Sequence, residues 1–155
     1  MIAPGSATKS EAFLWYRQSS RLSLGVAYLE KQGAFRWLAS YKLALESIGL
    51  PSVQFSAGVQ GIGTGNPGYA LTFEKNFPRN SLPINLYVGI GFRSNESHAH
   101  GLFGLRTNLN REFVLGIQHD GHAINPFITY SKNQNIAGIY LVRASRPALL
   151  LGYRF

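Results

Sequence analysis

Four histidines are the most reactive side chains in this 155-residue chain. They fall in two stretches rich in turn-forming residues: His98, His100, His119 and His122. Imidazole nitrogens ligate zinc, and an imidazole can also act as the base of a hydrolase, which draws attention to the neighbouring Ser97 and Asp120. Turn-rich surroundings favour histidines that simply face water, and the chain has no Gly-x-Ser-x-Gly motif. We predict no catalytic residue, no cofactor and no metal, and keep a metal or hydrolase site at the four histidines as an alternative.

A second set of polar side chains alternates with apolar ones. We predict that this set lines a water-filled lumen: Arg36, Ser40, Lys42, Glu46, Gln54, Gln60, Glu74, Asn85, Tyr87, Arg93, Arg106, Gln118 and Arg154. Its basic members, set against Glu46, Glu74 and Asp120, predict a weak preference for anions. Ion pairs across the lumen are the alternative, because a lone buried charge is costly. Glycines on the same face indicate either open space or sharp curvature.

The lumen prediction depends on β-strands with a period of two. The clearest example runs from Phe35 to Glu46, with apolar residues at every odd position and mainly polar residues between them. Successive side chains of a strand point to opposite faces, so this segment has one apolar and one polar face. Its apolar band matches the roughly 9 to 11 residues with which a tilted strand crosses a bilayer.

Alternating segments bounded by turn-forming residues predict about ten strands, with eight as an alternative. The predicted ranges are 20–31, 34–47, 51–62, 67–76, 83–94, 98–109, 112–120, 123–132, 136–143 and 147–155. We interpret 20–155 as an all-β, antiparallel up-and-down transmembrane barrel, and 1–19 as a short helix, a plug or an extension of the first strand. A short turn at 109–112 would place residue 100 opposite residue 121, so we expect all four histidines near one rim.

Composition favours a membrane setting. Charged residues make up 14% of the chain, against about 25% in a typical soluble domain, and soluble sheets need charges on their wet face and edges. The net charge of +8 permits an anionic partner, but the basic residues are dispersed and form no nucleic-acid-binding motif. No apolar run is long enough for a membrane helix. The segment Met1–Ser6 lacks signal-peptide features, so we expect a signal peptide to have been removed.

A soluble barrel that binds an apolar ligand is a further alternative, in which the aromatic face would form the core. The opposite face would then meet solvent, yet it carries mainly Ser, Gln, Thr, Gly and Asn. About ten strands, each with several bulky residues pointing inward, would also overfill a barrel of this size. The sequence therefore favours an apolar face that meets lipid.

The last strand ends with large apolar residues at alternate positions: Leu149, Leu151, Tyr153 and Phe155. This ending resembles the C-terminal recognition strand of bacterial outer-membrane β-barrels. The resemblance implies an assembly signal that the barrel-assembly machinery reads.

The middle of the chain carries a second resemblance, in short glycine-rich segments. These are 53–65, Tyr69–Lys75, Leu86–Gly91, Gly104, Asp120-Gly121 and Asn125. Together they are similar to the YjbH-like family of exopolysaccharide-associated outer-membrane barrels, although Gln118 and His119 stand where that family has an acidic residue. The resemblance implies a membrane barrel linked to envelope polysaccharide, with no catalytic site to transfer.

We therefore expect an integral protein of the bacterial outer membrane that acts as a small pore or structural module in polysaccharide handling. The expected partners are the lipid bilayer, the barrel-assembly machinery, and either anionic polysaccharide or small anions. An outer-membrane hydrolase with a histidine-rich rim is the enzymatic alternative.

Overall fold

A computed structural model describes residues 11–30, 32–59, 66–78 and 82–153, so the predictions for Gln60, Arg154 and Phe155 lie outside the described residues. Within these ranges the chain is all-β, and none of it forms a helix long and apolar enough to cross a membrane. The strands are β1 (Glu11–Arg17), β2 (Leu22–Leu29), β3 (Ala34–Ala44), β4 (Ser52–Val59), β5 (Pro67–Phe77), β6 (Ile84–Arg93), β7 (His100–Asn108), β8 (Phe113–His119), β9 (Ile124–Lys132), β10 (Asn135–Val142) and β11 (Arg146–Tyr153).

Every strand pairs antiparallel with the strand before and after it in the chain, which makes one up-and-down sheet of eleven strands. The number exceeds the predicted ten because of β1. Its residues fall in the segment expected to be a short helix, a plug or an extension of the next strand, and they instead pair along their whole length with β2, from Glu11 with Leu29 to Arg17 with Ser23.

The register between β7 and β8 differs from the predicted one by one residue. Phe103 pairs with His119 and Asn108 with Val114, whereas the prediction placed residue 100 opposite 121. The reason lies in the turn, where the Asn110 side chain accepts the backbone N–H groups of Glu112 and Phe113 at 2.8 Å. This turn holds one residue more than the predicted one, and an extra residue in a hairpin shifts the pairing of the strands.

One face of the sheet, here called the outer face, is apolar. It exposes large side chains along the strands, from Trp37 at 85% to Leu86 and Leu105 at 38%. Its charged members among the described strand residues, Lys75 and Lys132, lie near strand ends. Leu149, Leu151 and Tyr153 of β11 belong to the same face and are half-exposed. The outer face is therefore a continuous exposed apolar surface, far larger than a soluble monomer normally has.

The opposite face, here called the inner face, is concave and holds the most buried groups. Its buried apolar residues are mainly small or medium, such as Ala27, Ala70, Ala148 and Leu38. Glycines on this face lie directly across from larger side chains: Gly25 from Trp15, Gly104 from Tyr87, and Gly116 from Phe127. A Cβ at any of the three would meet the facing ring. These glycines make room for neighbouring rings, which leaves less open space than the glycine pattern alone indicates.

Candidate functional site

The inner face surrounds a cavity of about 1390 Å³. Side chains from β4 through β10 line it, so Gln54 of β4 and Tyr140 of β10 face the same space although five strands lie between them in the sheet. Of the predicted lumen residues, the cavity brings together Glu46, Gln54, Glu74, Asn85, Tyr87, Arg106 and Gln118. The sheet is therefore strongly curved, and its curvature gathers polar side chains.

A chain of polar contacts runs along one wall of the cavity. Glu74 accepts hydrogen bonds from Arg106 and Asn85, both at 2.7 Å, and Asn85 also donates to Asn76 at 2.7 Å. Asn76 donates its side-chain amide and, at 2.8 Å, its backbone amide to Glu46 at the cavity mouth. The charged groups of this wall are thus paired, as the ion-pair alternative for the lumen charges proposes, while the buried Asn85 Oδ1 has no hydrogen-bond partner among the described residues.

The cavity mouth carries a second cation. Lys75 lies 3.7 Å from Glu46 and donates to the backbone oxygens of Ser47 and Ile48 in the loop between β3 and β4. The two amides of Asn76, together with the nearby Lys75 charge, hold the pKa of the Glu46 carboxyl below its usual value. The charged groups that line the cavity are consequently balanced, with Lys75 and Arg106 against Glu46 and Glu74.

Four predicted lumen residues do not line this cavity. Arg36, Ser40 and Lys42 lie on the inner face of β3 and are half-buried, on the side of the cavity where β3 pairs with β2. Arg93 is buried at the end of β6, where its guanidinium donates to the backbone oxygen of Asp120 in the β8–β9 turn. The expected basic excess is therefore distributed over the inner face and is not concentrated in the cavity.

Aromatic rings and amides also line the cavity, beside aliphatic side chains such as Leu102 and Val114. Phe127 and Tyr140 are stacked, with ring centroids 4.9 Å apart and planes 15° apart, and Tyr87 lies on the same face. Gln54, Gln118 and Asn108 present amides to the cavity. Flat apolar rings beside amide donors and acceptors suit ligands that have both apolar faces and hydroxyl groups.

A second cluster lies at the end of the sheet where β6 joins β7 and β8 joins β9. The His100 ring is 4.5 Å from His98 and 4.3 Å from His122, measured between centroids. Glu96 lies among them, with Oε1 2.7 Å from His122 Nε2 and Oε2 2.6 Å from His100 Nε2. Glu96 is not among the residues predicted from the sequence to form a site. Its position four residues before His100, within the same predicted rim, is the signal that could have identified it.

His119, the fourth histidine of the predicted rim, ends β8 but does not join this cluster. Its ring stacks on Phe103 of the outer face, with centroids 4.9 Å apart and planes 4° apart. The actual β7–β8 register pairs these two residues directly, which places both side chains on the same face. Among the described residues, no serine hydroxyl is hydrogen-bonded to an imidazole of the cluster.

Searches against protein-family models, curated proteins and solved structures gave no match. Function is therefore inferred from the geometry of this chain.

Proposed function

We propose that this chain is an integral β-barrel of the bacterial outer membrane that acts as a small pore or structural module in envelope polysaccharide handling. The observation that carries the proposal is the inversion of the usual polarity. Large apolar side chains cover the outer face, while acids, amides and arginine lie around an internal cavity. In lipid this distribution is favourable, because apolar side chains meet hydrocarbon and polar groups meet water or one another.

Barrel closure is part of the proposal. In hydrocarbon every backbone N–H and C=O group needs a hydrogen-bond partner. A sheet with open edges leaves some of them without one, so a membrane-spanning sheet closes into a barrel. The curvature that brings β4 and β10 around one cavity supports closure. Because eleven strands alternate in direction, β1 and β11 run the same way, so direct closure would pair them in parallel. Bacterial barrels usually have even strand numbers, yet a mitochondrial barrel with an odd number shows that such closure is stable.

The cavity lining favours a sugar chain over a simple ion as the ligand. Tyr87, Phe127 and Tyr140 offer apolar ring surface at the cavity wall for contact with sugar rings, while Gln54 and Gln118 offer donors and acceptors for hydroxyl groups. The charges within the cavity are already paired, which leaves little net field to select an ion. This chemistry agrees with the resemblance to exopolysaccharide-associated barrels.

The membrane proposal predicts that folding depends on detergent or lipid. We expect the chain to fold in detergent micelles into a form whose gel mobility changes on heating, and to aggregate in plain buffer because of its exposed outer face. Circular dichroism and unheated gel electrophoresis measure both outcomes. A monomeric, folded chain in plain buffer would contradict the proposal and revive the soluble alternative.

The pore proposal predicts small currents that are easily blocked. Arg36 and Lys42 add positive charge to the inner face beyond the balanced cavity, so we expect weak anion preference that fades as salt screens it. Arg106→Gln should shift the preference toward cations, because Glu74 then loses its partner. Planar-bilayer recordings measure both. No current from inserted, folded protein would indicate a packed lumen and a scaffold role, and strong cation preference would show that Arg36 and Lys42 do not line the path.

A further inference from the structure

The histidine cluster contains a set of ligand atoms suited to a transition metal. One side-chain oxygen or nitrogen from each of Glu96, His100 and His122 lies within 4.8 Å of the others. Two imidazoles and one carboxylate are a common ligand set for zinc in proteins. The three residues come from two separate turns, so only the folded sheet assembles them.

The hydrogen bonds of His100 orient it as a ligand. Its Nδ1 lies 3.2 Å from the backbone oxygen of Gly121, and a carbonyl can only accept, so Nδ1 carries the proton. The lone pair is then on Nε2, which points toward Glu96. Metal-binding histidines usually hold their other ring nitrogen in this way, because a backbone acceptor sets both the tautomer and the orientation of the ring.

The facing atoms of this pair have only each other. The His100 side chain is 9% exposed, and its Nε2 lies 2.6 Å from Glu96 Oε2, an ion-pair distance, while neither buried atom has another hydrogen-bond partner among the described residues. Two lone pairs in contact repel unless a cation lies between them, and an unsatisfied buried polar atom destabilises a fold. The pair therefore needs either a shared proton or a metal ion.

Neighbouring groups hold the ligands in place. Arg93 is 6% exposed and donates to the Asp120 backbone oxygen at 2.6 Å and to Glu96 Oε1 at 3.4 Å. The Asp120 side chain accepts the backbone N–H groups of His122 and Ala123 at 3.1 and 3.0 Å, which forms the turn that carries His122. Both turns are thus fixed before any ion binds, and fixed ligands lower the entropic cost of binding.

Asn125 adds a further anchor. This residue is 1% exposed, and it donates to the Ala123 backbone oxygen at 3.2 Å while it accepts the Arg143 backbone N–H at 2.9 Å. The turn that bears His122 is therefore tied to the next turn along the same rim. Exposure of the His122 side chain, at 39%, leaves the cluster open to solvent on one side.

We infer that Glu96, His100 and His122 form a binding site for a divalent transition metal, with zinc as the best match, and that an exchangeable water or small ligand takes the remaining position. Ligand atoms around tetrahedral zinc lie about 3.3 Å apart when the bonds are about 2.0 to 2.1 Å long. The separations of 2.6 Å from His100 Nε2 to Glu96 Oε2 and 2.7 Å from His122 Nε2 to Glu96 Oε1 are shorter than this value, so the side chains must rotate apart as the ion enters. The bound ion would join the β6–β7 loop to the β8–β9 turn. This inference does not depend on the proposed pore function.

Zinc titration of the full-length chain tests the site, in whichever medium keeps the chain folded. After treatment with EDTA, we expect calorimetry to show one zinc ion per chain, and Co²⁺ to give the visible absorption bands of a low-coordinate site. His122→Gln is the deciding variant, because this side chain is partly exposed and least coupled to folding. Affinity should fall by at least about 100-fold, since losing only a supporting partner of a ligand already costs roughly 10- to 100-fold.

His119→Gln is the matched control. It removes an imidazole three residues away that stacks on the outer face and is not a metal ligand, and glutamine keeps an acceptor for the Gly121 backbone N–H that His119 Nδ1 accepts. Zinc affinity should therefore fall by much less than for His122→Gln. Glu96→Gln should weaken binding as His122→Gln does, while a gel-mobility assay confirms that each variant is folded. The inference is overturned if the folded parent chain shows neither zinc heat nor Co²⁺ bands, or if His119→Gln loses as much affinity as His122→Gln. Either result would leave Glu96 and His100 as a proton-sharing pair.

Discussion

Replacement of Val88 by arginine is expected to lower the free energy of unfolding by about 2 to 4 kcal/mol in a phospholipid bilayer, the cost of a cation near the bilayer midplane on the lipid side of a barrel. Val88 is 49% exposed at the middle of β6 and lies on the outer face between Phe73 and Phe103. Its neighbours offer no carboxylate with which arginine could pair. Urea titration of vesicle-inserted protein, followed by tryptophan fluorescence, measures the change.

Gln54→Arg provides the inner-face control. Gln54 is half-buried in β4 and lines the polar cavity, where a cation meets water and the acidic groups at 46 and 74. We expect a loss well below that of Val88→Arg, and the same contrast between Leu71→Arg and Ser40→Arg. Equal losses on the two faces would show that the outer face does not contact lipid. The difference between outer-face and inner-face arginine arises only when the outer face contacts lipid, so both variants must be compared after insertion into vesicles.

Alanine at position 89 is expected to destabilise the sheet by about 1 to 3 kcal/mol, the usual range for overpacking. Gly89 lies on the inner face of β6 opposite Thr72. A methyl group there would collide with the backbone oxygen of Leu71 and lie 2.8 Å from Thr72 Cγ2. Since one obstacle is backbone, relief requires the two strands to separate. Chemical denaturation of the variant and the parent in the same micelles measures the difference.

Gly101→Ala is the matched control for this substitution. Gly101 is an exposed strand glycine of β7, and a Cβ at this position would meet nothing within 4 Å. Alanine at such a site restricts the unfolded chain, so we expect a gain of roughly 0.4 to 1 kcal/mol. Opposite signs for the two substitutions would demonstrate that inner-face glycines exist for steric reasons. A neutral Gly89→Ala would instead indicate that the space above this glycine is open.

The sequence predicts most of the sheet because alternation is a direct consequence of strand geometry. Segments such as Ala34–Ala44 and Ile84–Arg93 place apolar and polar groups on opposite faces, so their boundaries can be predicted closely. The first strand was not predicted because Phe13, Leu14, Trp15 and Tyr16 are consecutive and large. In the middle of β1 both faces are apolar, and periodicity alone cannot tell whether such a short apolar run forms a strand or a helix.

The site could be predicted only in part, because it depends on register and on turns. Residue type and turn-rich surroundings identified the histidines as candidates. A single extra residue in the turn after Asn108, however, decides which face His119 occupies. Glu96 has no periodic signal, since it lies in a loop whose fold is set by its contact with Arg93. From the sequence alone, an inner-face glycine can indicate either open space or a tightly packed site. Only the facing side chain, such as Tyr87 over Gly104, distinguishes these two cases.

An odd number of strands also determines where the two ends of the domain emerge. Eleven passes carry the chain from one end of the sheet to the other, so Glu11 and Tyr153 lie at opposite ends. In a barrel with an even number of passes, the corresponding residues share one compartment. If this sheet crosses a membrane, a peptide fused before β1 and a peptide fused after β11 would be displayed to different compartments. Protease added to one side of sealed vesicles should then remove one fused peptide and leave the other intact, which would make this chain a natural scaffold for joining partners across the bilayer.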